Sequence, residues 1–449
     1  MKAAVLALSV AMLLSPAVQA AQVSEPTSHL KKETQLADLQ GKWLGSLHIP
    51  DGPTLTAGIE LFTRADGQIG ANMVSPDQGV SVMPIDAVTW QNGELTVAAN
   101  AIGAQIVLRP EAGSLVGALN QGGAGLAMNL KRVEAFPDIE RPQTPKTPLP
   151  YVSEEVRFQS TDGTWLAGTL TRPAGIKKPT VVVLVAGSGP ADRDASIMGH
   201  KPFLVLADHL TRSGYAVLRF DKRGVMRSAG SFADAALPNL INDAKGAVQY
   251  LAASKQFRAI GLLGHSEGSA VVAEAARDNK HVSFVISAAG VGLPGIDAIV
   301  LQDDAELKLK GVSDAERAVA TGYSRRFYEA VAKHAAVADR EAAIAALKAS
   351  LTESEQALVK QHTRGWVTVS MHEARGERLR ALLLSNAPAS YAALNVPVLA
   401  LNGDKDVQVP AAENLAGLRT ALQHNKRAKV ISLPSLNHLL QTASTGLTE

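Results

Sequence analysis

A short apolar run at residues 259–263 passes directly into Gly264-His265-Ser266-Glu267-Gly268, and residues 270–276 continue as an alanine- and valine-rich stretch of helical character. A strand that turns into a helix across a serine flanked by glycines is a demanding arrangement. The glycines permit a backbone turn too sharp for residues with a Cβ, and the serine hydroxyl is left at its tip. The flanking segments must then supply strands and helices in alternation. They do: apolar, largely β-branched runs recur at residues 180–185, 215–220, 282–286, 396–401 and 429–433, with helix-length segments such as 202–212 and 240–253 between them. Buried strands alternating with amphipathic helices predict an α/β architecture, a largely parallel sheet with helices on both faces.

A serine hydroxyl becomes a nucleophile only when a base takes its proton and an acid orients that base. In strand-turn-helix sites of this kind the three follow one another as Ser, Asp or Glu, then His. Downstream of Ser266, Asn402-Gly403-Asp404-Lys405-Asp406 follows one apolar run, and Leu436-Asn437-His438 follows the last. His438 is the candidate base. Asp404 and Asp406 compete for the role of acid, and spacing hardly separates them. A developing oxyanion needs two donors. The N–H of Glu267, next after the serine, is one candidate, and the N–H of Ser188 in Ala186-Gly187-Ser188-Gly189-Pro190 is the other.

Residues 36–135 differ in character. Short apolar stretches are divided by Asp66-Gly67, Gln78-Gly79, Asn92-Gly93 and Ala112-Gly113, which predicts a small β-rich domain, a barrel or sandwich of antiparallel strands. Residues 136–150 carry Pro137, Pro142, Pro145, Pro148 and Pro150 and read as an extended linker to a second domain at 151–449. Within that domain a helical insertion spans about residues 295–390. Its capping boxes, Ser313-Asp314-Ala315-Glu316 and Thr352-Glu353-Ser354-Glu355, mark helix starts in what should be a cap over the sheet's C-terminal edge.

Residues 1–20 have the form of a signal peptide: Lys2, an apolar run at 3–14, and Val18-Gln19-Ala20 as a cleavage site. The apolar run is too short to span a bilayer, and no other segment would span it in the mature chain. With no cysteine available for lipid anchoring, the expected location is the periplasm or the medium. A formal charge of +2 without a basic block gives no footing for nucleic acid. Gly290-Val291-Gly292-Leu293-Pro294-Gly295 has the spacing of a dinucleotide loop, but no strand with a terminal acid follows it, so no nucleotide is expected. Histidines and carboxylates show no close ligand spacing. Neither metal nor other cofactor is expected.

Taken as a set, these segments resemble bacterial serine aminopeptidase-like α/β-hydrolases, whose better-understood members are carboxylesterases with an N-terminal β domain. The likeness lies in Gly187-Ser188-Gly189-Pro190 with Asp192-Arg193-Asp194, in Phe220-Asp221-Lys222-Arg223-Gly224, in the Gly264–Gly268 turn, in residues 397–410, and in Asn437-His438-Leu439-Leu440-Gln441. It extends to Trp43-Leu44-Gly45 and Ser75–Gly79 of the β-rich domain. The resemblance implies an α/β-hydrolase fold with a helical cap. It selects Asp406 as the acid beside Ser266 and His438, and implies acyl transfer from a small ester with no cofactor. Amide or peptide cleavage by the same residues is the first alternative, and a non-catalytic binding protein on the same fold the second. Two departures bear on the structure. Met226 stands where such chains commonly have glycine, which predicts a local change of the turn. Glu449 comes eleven positions after His438, where the fold usually adds a helix, which predicts a loosely held histidine loop. Oligomeric state is not legible.

Overall fold

The computed structural model describes residues 34–50, 52–139, 141–363 and 373–446. Residues 1–20, expected to be a signal peptide, lie outside them.

The N-terminal part is all antiparallel: β1 (Gly41–His48), β2 (Thr54–Thr63), β3 (Ile69–Val74), β4 (Ala87–Gln91), β5 (Glu94–Ala99), β6 (Ala104–Glu111), β7 (Ser114–Gln121) and β8 (Ala124–Val133). They form one sheet in the order β3-β2-β1-β8-β7-β6-β5-β4, which curls into a nearly closed barrel around Trp43, Ile59, Leu61, Leu95, Ile106, Leu108 and Leu130. Its tight hairpins come from local chemistry. Asn92 and Gly93 have φ of 51° and 74°, and Ala112 and Gly113 have 47° and 83°. Two successive residues with positive φ match the right-handed twist of the strands they join.

The barrel packs against the rest of the chain at one corner. Ala65 N–H donates to Arg227 O at 2.7 Å, and the Arg227 guanidinium lies 5.0 Å above the Phe62 ring. The barrel thereby braces the turn that follows the fourth strand of the second sheet.

That sheet contains β9 (Tyr151–Gln159), β10 (Trp165–Pro173), β11 (Thr180–Val185), β12 (Ala216–Phe220), β13 (Ala259–His265), β14 (Val282–Ala288), β15 (Val398–Gly403) and β16 (Ala428–Leu433). The order is β16-β15-β14-β13-β11-β12-β10-β9, parallel from β12 through β16, with β10 antiparallel to both β9 and β12. Every residue of β11 and β12 is buried, which explains their largely apolar character, broken in β12 by the buried Arg219. β9 and β10 escape a search for apolar runs because β9 is an edge strand, with Glu154, Glu155 and Arg157 interleaved among Val156 and Phe158.

Helices Leu237–Ser254, Glu267–Ala276 and Ala411–Ala421 cover one face of the sheet, and Pro202–Arg212 packs on the other. Between β14 and β15 the chain forms the expected helical cap: Gly295–Leu309, Asp314–Lys333, Val337–Ala349, Glu353–His362, Glu373–Leu383 and Ala387–Ala392. Both capping boxes form, with Ser313 and Thr352 accepting from Glu316 N–H and Glu355 N–H. The cap has a small core of its own around Tyr323, Phe327, Val331, Val359 and Leu383. No described helix is long and apolar enough to cross a membrane.

Candidate active site

Ser266 occupies the tip of the turn between β13 and the helix Glu267–Ala276, at φ 56° and ψ −126°. Such a backbone is costly for a residue with a Cβ, and its surroundings must enforce it. They do. Ser266 N–H is fixed to Ala288 O at 3.0 Å, and the glycines on either side sit against backbone. A Cβ on Gly264 would fall 2.1 Å from Gly268 O, and one on Gly268 would fall 2.3 Å from Val185 O. The Ser266 hydroxyl makes no hydrogen bond to a described residue and so stands ready for another partner.

The candidate acid and base lie in the loops that follow β15 and β16. Asp406 is buried, and its Oδ1 accepts from Gln408 N–H at 2.9 Å and Val409 N–H at 2.8 Å. Its Oδ2 lies 2.8 Å from His438 Nδ1. A carboxylate only accepts, so Nδ1 carries the imidazole proton and Nε2 presents its lone pair. The two aspartates differ in position: Asp404 is exposed, and its Oδ1 accepts from Ser435 N–H at 2.7 Å.

The loop carrying His438 is tied down from several sides. Asn437 Oδ1 accepts from the N–H groups of Leu439 and Gln441, both at 3.0 Å. His265 Nε2 donates to His438 O at 2.8 Å, with the two rings 4.8 Å apart. A cavity of about 1040 Å³ is lined by this loop, at Asn437, Leu439 and Leu440, together with Leu263, His265 and Ala288. The bond from His265 therefore braces the loop from the serine side, and that from Asp406 braces it from the acid side.

The segments that carry the candidate oxyanion donors adjoin Ser266. Gly187 stands over the serine, since a Cβ added to it would come 2.8 Å from Ser266 Cβ, and Ser188 follows it in the same loop. Glu267 is the first residue of the helix after Ser266. The loop is anchored by charge. Arg193 makes a two-point pair with Asp221, Nε–Oδ1 at 3.1 Å and Nη2–Oδ2 at 2.8 Å, and Arg193 N–H adds a bond of 2.8 Å to the same carboxylate. Arg223 is paired likewise with Asp243 and with Asp162. Buried Asp243 has its carboxyl pushed above the usual range by loss of water, against the pull of Arg223. Met226 takes φ 45°, so this turn keeps the left-handed backbone that glycine would supply. Arg227 N–H donates to Asp221 Oδ2 at 3.2 Å in the same turn.

Sequence reasoning gave no role to Lys222, Arg193, Asp221 or His265. For Asp221 and Lys222 the available signal was charge placed directly after the buried strand β12, where only paired groups can be buried. Among the described residues, no three His, Asp or Glu side chains converge as metal ligands would.

His265 also offers a pH test. Burial, then the neighbouring His438, lower its pKa from the usual 6.5 to about 4. Its folded value lies below its unfolded value, so the unfolded chain binds a proton first as pH falls. The neutral ring's contribution is complete above pH 6.5 and is lost between there and pH 4, on the order of 3 kcal/mol in all. Denaturant midpoints measured at pH 8, 6, 5 and 4.5 should decline less steeply in His265→Gln than in the parent. Equal slopes would show that His265 is not held neutral.

The fold and this arrangement of serine, histidine and aspartate define an α/β-hydrolase. Residues 201–441 match the family model described as serine aminopeptidase, S33, and the chain belongs to that family. Esterase EstD of Thermotoga maritima is 34% identical over 142 residues, which are 31% of this chain and 34% of that protein. The match thus spans about a third of this curated relative's length. Among solved structures, an esterase of Pyrococcus furiosus aligns at 17% identity over 68% of this chain and 88% of its own, with a TM-score of 0.42. An esterase from Butyrivibrio proteoclasticus, solved with ferulic acid bound, aligns at 16% identity over 64% and 92%, with a TM-score of 0.41.

Proposed function

We propose that this protein is a serine hydrolase of carboxylic esters, with Ser266 as nucleophile, His438 as base and Asp406 as the acid that orients it. The carrying observation is the pairing of a strained, glycine-enforced Ser266 backbone with the 2.8 Å bond between Asp406 and His438. In the proposed reaction, the hydrogen bond from Ser266 to His438 Nε2 closes when substrate binds, as such bonds commonly do. His438 takes the hydroxyl proton as Oγ attacks the carbonyl, and the oxyanion is held by Ser188 N–H and Glu267 N–H. His438 then gives the proton to the leaving alcohol, and water activated by the same ring releases the acid. The esterase name of the Thermotoga relative favours an ester. The family's description favours a second reading, amide cleavage by the same groups, in which the leaving amine must be protonated by His438.

Residues 1–20 support export to the periplasm or medium as part of this reading, with removal of the leader near Ala21. Mass measurement of protein recovered from the periplasm would reveal a retained leader if this were wrong.

The deciding experiment is turnover of p-nitrophenyl acetate and butyrate against an aminoacyl p-nitroanilide, with organophosphonate labelling to locate the reactive serine. Ester turnover in excess, with label on Ser266, is the expected result. Faster anilide cleavage would move the reading to an amidase. A folded protein that is neither active nor labelled would overturn both.

A further inference from the structure

A buried ammonium that the proposed reaction does not use lies between the two candidate oxyanion donors. Lys222 follows β12 by two positions, and its side chain is 6% exposed. Its Nζ donates to Gly187 O and to Gly189 O, the latter at 3.3 Å, and it lies 3.6 Å from Glu267 Oε2. One cation thus joins the loop after β11 to the residue next to Ser266.

We infer that Lys222 is a positioning residue of the oxyanion hole, holding the Ser188 peptide with its N–H aimed over Ser266; the inference rests on the serine-hydrolase reading above. The reason is peptide geometry. A peptide unit is planar and trans, so its C=O and N–H point in opposite directions. The C=O of Gly187 and the N–H of Ser188 belong to one unit. Fixing that carbonyl on Lys222 turns the N–H the other way, and the peptide adjoins the serine, since a Cβ on Gly187 would lie 2.8 Å from Ser266 Cβ.

The residue type fits the task. The loop is glycine-rich and would otherwise sample many orientations, since both Gly187 and Gly189 lack a Cβ. An ammonium has three donors on one atom and can hold two carbonyls and a carboxylate at once, which no amide or hydroxyl can do. Burial pushes the Lys222 pKa down, opposed by Glu267, and the carboxylate so close by favours the charged form that donates. Glu267 in turn begins the helix whose first N–H is the second donor. The lysine therefore sets both halves of the hole relative to each other.

Lys222→Met tests this by keeping the stem and removing the donors. The parent must first show turnover that depends on Ser266; failure there refutes the serine-hydrolase reading itself and precedes any Lys222 result. The variant is expected to melt cooperatively and to lose about 10²-fold in kcat, the scale of a misplaced or missing oxyanion donor, with KM within about 3-fold. The discriminating probe is an alkyl trifluoromethyl ketone, which forms a tetrahedral adduct with the serine and so needs the hole. Its Ki should rise by the same factor as kcat falls. Lys222→Gln, which can restore one donor, should recover part of both.

A folded Lys222→Met with kcat within 3-fold of the parent overturns the inference. So does a fall in kcat that the ketone's Ki does not follow, which would mark a purely structural lysine. Should the methionine variant fail to fold, the glutamine variant is read by the same two criteria. If neither folds, Lys222 serves the fold as a whole and the inference falls.

Discussion

Ser266→Ala is expected to lower kcat for p-nitrophenyl butyrate by about 10⁶-fold without changing the melting transition. The hydroxyl makes no hydrogen bond to a described residue, so its removal breaks no contact that supports the fold. Alanine inherits the same φ of 56° and the same strain, and stability should stay within about 0.5 kcal/mol of the parent. Asp406→Asn should cost about 10⁴-fold for a different reason. Asparagine can still accept from Gln408 and Val409 N–H through its carbonyl oxygen, which leaves its NH₂ facing His438 Nδ1. That donor would force the ring into the tautomer with the proton on Nε2, unable to receive one from Ser266. Asp404→Asn keeps its acceptor for Ser435 N–H and should remain within about 3-fold of the parent. Parent-like kcat in Asp406→Asn, measured beside a large loss in Asp404→Asn, would reverse the assignment of the acid.

The contrast between these aspartates also shows what the chain makes legible and what it hides. Ser266 could be read because its constraint is local: strand, glycine, serine, glycine and helix are adjacent, and each limits the backbone of the next. The two capping boxes in the cap and the positive-φ pairs Asn92-Gly93 and Ala112-Gly113 were legible for the same reason. The acid was not. Asp404 and Asp406 occupy one short loop, and only its folding turns Asp406 inward to His438 while Asp404 faces solvent and caps Ser435. His265 is more deeply hidden, because its partner is a main-chain carbonyl 173 residues away, and carbonyls leave no trace in a sequence. The same holds for Lys222 and the carbonyls of Gly187 and Gly189. Long-range contacts to backbone carry much of the support in this site, so its chemistry is easier to read from the sequence than its scaffolding.

A substitution at the elbow should affect folding more than any of these. In Gly264→Ala the new methyl would lie 2.1 Å from Gly268 O and 2.4 Å from Gly268 C. Both are backbone atoms of the turn itself, and neither can swing aside as a side-chain tip could. Relief requires opening the turn, which would pull Ser269 N–H from Ser266 O, a bond of 2.9 Å, and shift Gly268 from its contact with Val185 O. The expected cost exceeds about 4 kcal/mol, enough to remove most of a domain's net stability, so the variant should appear mainly insoluble. Gly189→Ala is the control. Unlike Gly264 it has positive φ, 89°, and nothing lies within 4 Å of the position its Cβ would take. Its cost should be the backbone penalty alone, about 1–2 kcal/mol, with soluble protein retained. Soluble yield and urea midpoints of the two variants separate steric enforcement from backbone preference. A Gly264→Ala protein that melts like Gly189→Ala would mean that the turn can open cheaply, and the strain at Ser266 would then have no enforcer.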